Sequence, residues 1–129
     1  MKEHGSFEIT RRGRIIECDC SGTWNRETAD RYCRQHRALV RQIGSQPWAK
    51  ILDLRGWELG TPDVVVPLRE LYVWCVLHGQ VRQVNIRHQS LFKQFHLENI
   101  VPTDSSIEFL DEDDWEAARA RLAAEGFLS

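Results

Sequence analysis

This sequence predicts an α/β domain: a mixed sheet of four to five strands with a parallel centre and helices mainly on one face. Three observations lead there. Short segments alternate apolar and polar residues, the period of half-buried strands. Longer stretches at helical spacing separate the later strands, and such crossovers demand parallel pairing. The first two strands are joined too closely for anything but an antiparallel hairpin.

Phe7-Glu-Ile-Thr10 alternates as a first strand, and Arg11-Arg12-Gly13 supplies the turn. Arg14 to Cys20 reads as the second strand, and Ser21-Gly22-Thr23-Trp24 breaks its pattern. Asn25 is a good N-cap, with acidic Glu27 in the first turn of the helix that follows. Ala29, Tyr32, Cys33, His36, Leu39, Val40 and Ile43 recur at helical spacing, and Gly44 stops the helix as a C′ residue should.

Ala49 to Leu54 is a short third strand, followed by a loop holding Gly56 and Gly60. Thr61 is placed to cap the next helix, Pro62 to take its first position, and Asp63 to favour the positive end of its dipole. Pro67 removes a backbone donor one turn later, which predicts a kink or a restarted helix. The helix runs to His78, and Gly79 ends it. Val81 to Arg87 is a fourth strand, Ser90 to His96 a short helix, and 101–106 a loop. Ile107 to Leu110 fits an edge strand, and Asp111 caps a last helix through Trp115, Ala118 and Leu122 that ends near Gly126. The whole chain of 129 residues suits one domain, with no internal repeat or linker.

Strand parity then assigns faces. Phe7 and Ile9 oppose Glu8 and Thr10; Ile16, Cys18 and Cys20 oppose Glu17 and Asp19; Leu52 and Leu54 oppose Asp53 and Arg55; Val84 and Ile86 oppose Gln83 and Asn85. A sheet covered on both sides reads as nearly continuous apolar strands. The alternation therefore predicts Glu17, Asp19, Asp53, Gln83 and Asn85 on one polar face, turned toward water or a partner.

Seventeen basic against nineteen acidic residues give a formal charge of -2, without the positive surplus of a nucleic-acid-binding domain. The longest apolar run, Leu71 to Leu77, is far short of the roughly 20 residues of a membrane span. No apolar stretch follows the charged residues near Met1, so no signal peptide and a cytoplasmic location are expected. Cys18, Cys20, Cys33 and Cys75 lack the CxxC spacing of zinc knuckles, and the five histidines lack HxxxH spacing. Buried reduced thiols are expected, and no metal or cofactor.

Lys50-Ile-Leu-Asp-Leu-Arg-Gly-Trp57, the loop Gly60-Thr-Pro-Asp63 and the closing Glu108-Phe-Leu-Asp-Glu-Asp-Asp-Trp-Glu-Ala117 occur in that order. With the hairpin start and the element order, the chain resembles the STAS domains (sulfate transporter and anti-sigma-factor antagonist), in particular the SpoIIAA-like bacterial proteins. The resemblance covers most of the chain. It implies a non-enzymatic regulatory module acting by protein contact. It also implies a phosphorylatable serine in an Asp-Ser-Ser-Gly type loop; here that stretch is Gly60-Thr61-Pro62-Asp63, which has no serine, so the phosphoswitch does not carry over.

Two candidate sites follow. Open α/β sheets hold ligands at the carboxyl ends of their strands, which here carry Trp24, Trp57, Gly60, Thr61, Arg87 and His88. They would form a crevice for a nucleotide, lipid or anionic metabolite; the bland alternative is that both tryptophans close the core edge and the glycines only turn the chain. The second candidate is the helix from Leu68 to His78, apolar nearly all round, whose Tyr72, Val73, Trp74 and Leu77 would meet a protein partner or a second copy in a homodimer, or else lie under the terminal helix. Arg31, Arg34, Arg37 and Arg41 line one side of the first helix, either to meet an acidic partner or as a solvated face. A hydrolytic pairing of His88 with Thr61 lacks an orienting acid, so no enzymatic activity is expected.

Overall fold

The computed structural model describes residues 3–86, 100–101 and 106–129. Strands β1 (Ser6–Arg12), β2 (Ile15–Trp24), β3 (Trp48–Leu59), β4 (Gln80–Ile86) and β5 (Glu108–Glu112) form one sheet in sequential order. Strands β1 and β2 pair antiparallel, and every later pair is parallel. Helix α1 (Arg26–Ile43) joins β2 to β3; a 3-10 turn (Pro62–Val64) leads into α2 (Val65–Leu77); α3 (Trp115–Ala124) follows β5. The predicted helix at 90–96, His96 and most of the predicted loop lie outside the described residues.

Local chemistry explains the boundaries. The Asn25 side chain accepts from the Thr28 amide at 3.2 Å, as an N-cap should. The final helix is capped three residues later than Asp111, by Asp114, which accepts from the Ala117 amide at 2.8 Å. The second helix does restart: Pro67 falls in the first turn of α2, where a missing N–H leaves no intrahelical bond unmade. Thr61 stands before the 3-10 turn, but its hydroxyl bonds the Asp63 carboxylate and caps no backbone amide.

Strand β2 does not stop at Cys20. It runs on to Trp24 beside a β3 that reaches Leu59, and an irregularity between Asp19 and Ser21 restores the facing of Trp57 and Trp24. Gly22 lies at φ +76 with Gly5 packed against it, so the strand passes through this point only as glycine.

Helices α1 and α2 cover one face, over Ile16, Cys18, Cys20, Leu52 and Leu54. The polar-face expectation needs correcting. Ile15, Ala49, Ile51, Val84 and Ile86 form a second core on the opposite face, closed by Ala118 and Leu122 of α3 and by Phe127. Pairing aligns Glu17 with Ile51 and Ile51 with Val84, so Val84 and Ile86 lie on the α3 face. Gln83 and Asn85 therefore turn toward α2, and Gln83 is buried with its amide donating to the Tyr72 hydroxyl at 2.7 Å. Glu17 and Asp53 are on the α3 face but buried; Asp19 alone of the five is exposed. Adjacent apolar pairs, Ile15-Ile16 and Ile51-Leu52, were the signal of two covered faces.

Candidate functional site

Between the sheet and helices α1 and α2 lies a cavity of about 30 Å³. That is room for about two waters or one small polar group. Its walls are apolar and aromatic: Trp24 and Trp57 from the strand ends, Leu52 and Leu54 from β3, Leu68 and Leu71 from α2. The two tryptophans, drawn together from strand ends 33 positions apart, meet edge to face with centroids 6.1 Å apart. Tyr32 joins them at 5.1 Å from Trp24, and Phe7 packs on both Trp24 and Tyr32.

Trp24 is anchored: its indole N–H is shared between the Ser6 and Ser21 carbonyls, each at 3.1 Å. Trp57 is not. Its indole N–H is buried with no hydrogen-bond partner among the described residues, a state that costs about 1–3 kcal/mol.

The same wall holds Lys50. Its position on β3 points the side chain beneath α2, and the residue is 1% exposed. The ammonium lies 4.7 Å from the centre of the Tyr72 ring, a cation–π contact. No carboxylate pairs with it and it donates no hydrogen bond among the described residues. Burial opposes its charge, while the Cys75, Cys18 and Cys20 thiols and the Tyr72 phenol attract it, with the net displacement of its pKa upward. Those groups are neutral at pH 7, however: burial pushes the Cys18 thiol up to about 11 and raises Cys20, Cys75 and Tyr72 as well. A buried ammonium thus faces the cavity with no anion beside it among the described residues. Lysine is almost never fully buried unless paired, and Lys50 was read in the sequence only as part of a strand motif.

The other predicted crevice residues separate. Gly60 is structural: a Cβ there would sit 2.3 Å from the Trp24 carbonyl oxygen, which its own amide bonds at 3.0 Å. Thr61 is exposed and engaged with Asp63, away from the cavity. Arg87 and His88 lie outside the described residues.

The α2 surface also divides. Tyr72 is buried, with its hydroxyl on Gln83. Trp74 is half-buried, stacked on His78 at 3.9 Å and flanked by the Arg37 and Arg41 guanidiniums. Val66, Val73 and Leu77 stay exposed, Leu77 at 75%. The terminal helix does not cover them, because it lies across the sheet on the other face. The arginine row on α1 is partly engaged: Arg31 pairs with Glu3 at 2.8 Å and lies over Phe7.

All four cysteines are free and buried. Among the described residues, no cluster of three or more His, Cys, Asp or Glu is placed to hold a metal ion, and no helix is long and apolar enough to cross a membrane.

No protein-family model matches the chain, and no curated protein matches it. Among solved structures, it is similar to an uncharacterized protein of the DUF3478 family with a SpoIIAA-like fold from Shewanella loihica PV-4. The TM-score is 0.69 over 95% of this chain and 96% of that one, at 13% identity. With its hairpin start, parallel centre and two helices on the main face, the chain has the SpoIIAA-like α/β fold.

Proposed function

We propose that this chain is a cytoplasmic, non-catalytic binding module that holds a small ligand between the sheet and helices α1 and α2, beside Trp24 and Trp57. The observation that carries this is the buried Lys50 ammonium at the wall of an apolar cavity, paired with no carboxylate among the described residues. A folded chain gains nothing from burying a charge without a partner, so a polar group kept there at a cost in stability points to use. Binding is favoured over turnover because the cavity walls carry an ammonium, the neutral Cys20 thiol and two phenols, and no general base among the described residues. Fold alone does not decide this.

Trp24 and Trp57 make the site its own reporter. Intrinsic fluorescence titrated against nucleotides, short organic acids and lipids would change with at least one class, and Trp57→Phe would remove much of the response. No change across the whole panel would end this reading.

A second reading, a regulatory module working by protein contact or self-association, is favoured by one observation: Val66, Val73 and Leu77 leave an apolar strip of α2 uncovered. Sedimentation at increasing concentration tests it, since self-association through this strip would be lost in Leu77→Glu.

A further inference from the structure

We propose that the cavity takes a short monocarboxylate, its carboxylate on the Lys50 ammonium and its apolar body against Leu52, Leu54, Leu68 and Leu71. This deepens the binding function proposed above and rests on it.

Charge sets the first limit. Lys50 is the one charged side chain among the described residues lining the cavity, and the walls are otherwise apolar or neutral. A single negative charge is answered there; a second would sit uncompensated in a low-dielectric site. A neutral ligand would leave the ammonium as it is. A carboxylate also accepts at two oxygens, and the partnerless indole N–H of Trp57 is a second buried donor on the same cavity. Charge-assisted hydrogen bonds from an ammonium are roughly twice as strong as neutral ones.

Volume sets the second limit. About 30 Å³ is room for a carboxyl group carrying no more than a methyl. A long acyl chain would require α2 to lift from the sheet, exposing Leu68 and Leu71.

The test uses the full chain at pH 7 and constant ionic strength, titrated with sodium acetate, ethanol and methyl phosphate. Tryptophan emission and the thermal midpoint are read together. Acetate is expected to bind at least tenfold more tightly than either analogue and to raise the midpoint. Lys50→Met, which keeps the length of the stem, is expected to abolish that preference while the protein stays folded. The comparison among the three ligands needs only the unaltered protein, so it decides the matter even where a variant fails to fold. Equal binding of ethanol, tighter binding of methyl phosphate, or an unchanged preference in Lys50→Met overturns the monocarboxylate and leaves small-ligand binding standing. Silence toward all three, with a response to another member of the wider panel, does the same. Silence toward everything removes both.

Discussion

Arg119 on the last helix holds Glu17 on β2 through two hydrogen bonds of 2.9 Å each, across 102 positions of sequence. Glu17 is 6% exposed and has one other cationic neighbour among the described residues, Arg12 at 3.4 Å. The pair ties α3 to the sheet where the apolar core of that face gives way to polar residues. Arg119→Ala removes the better partner from a buried carboxylate and is expected to cost about 1–3 kcal/mol. Urea denaturation measures it. The double variant Glu17→Leu, Arg119→Leu is expected to recover most of the loss, since it leaves no buried charge behind.

Two glycines four positions apart, near the end of β3, make a paired test. Gly56 has a side clear to 3.6 Å, so Gly56→Ala is expected to change stability by less than about 1 kcal/mol. Gly60 has the Trp24 carbonyl oxygen where its Cβ would lie and the Thr23 methyl at 2.9 Å. Gly60→Ala must push two strand ends apart beside the cavity, at a cost of about 1–3 kcal/mol. Thermal melts of the two variants compare them directly, and near-ultraviolet circular dichroism of Trp24 and Trp57 is expected to change only for Gly60→Ala.

His36 is fully buried between Tyr32 and Trp48, with neither ring nitrogen hydrogen-bonded among the described residues. Burial, helped by nearby Lys50, holds its pKa well below the ordinary 6.5. The unfolded chain therefore takes up a proton that the folded chain refuses. Stability from this group is full above pH 6.5 and falls as the pH drops below it, by up to about 1.4 kcal/mol per pH unit. The carboxylates whose pKa values are lowered, Glu3 and Asp53, weaken the fold only below their unfolded values of 4.5 and 3.8. Denaturation between pH 5 and 8 is thus expected to show a slope that His36→Leu flattens.

Lys50→Met exchanges an ammonium that meets no carboxylate among the described residues for an apolar side chain of similar length. In the ligand-free protein it is expected to stabilise the fold, by about 1–4 kcal/mol, read as a rise in the thermal midpoint. A fall of similar size would mean that the charge already has a partner.

Much of the fold was legible because it is local. Asn25 and Gly44 bracket α1, Gly79 closes α2, and the short link between β1 and β2 allows only a hairpin; each follows from neighbours within a few positions. Parity within a strand was legible too, and the opposition of Val84 to Gln83 is what the sheet contains. What parity cannot do is relate one strand to the next. Facing across strands depends on register, so Val84 and Ile86 fell on the side of Glu17, and Gln83 on the side of Cys18.

Among the described residues, the sequence by itself determined which strands and helices form, their order, the hairpin, the parallel centre, and two tryptophans at neighbouring strand ends. Only the tertiary structure decided that α3 covers the second face, that Gly60 is held by the Trp24 carbonyl, and that Lys50 ends in an apolar cavity with no carboxylate beside it among the described residues. The physical reason is that capping, turns and periodicity act between residues close in the chain. Burial and charge pairing belong to groups brought together from far along it, and Lys50 on β3 meets Tyr72 of α2 and Cys18 of β2 only once the layers have closed.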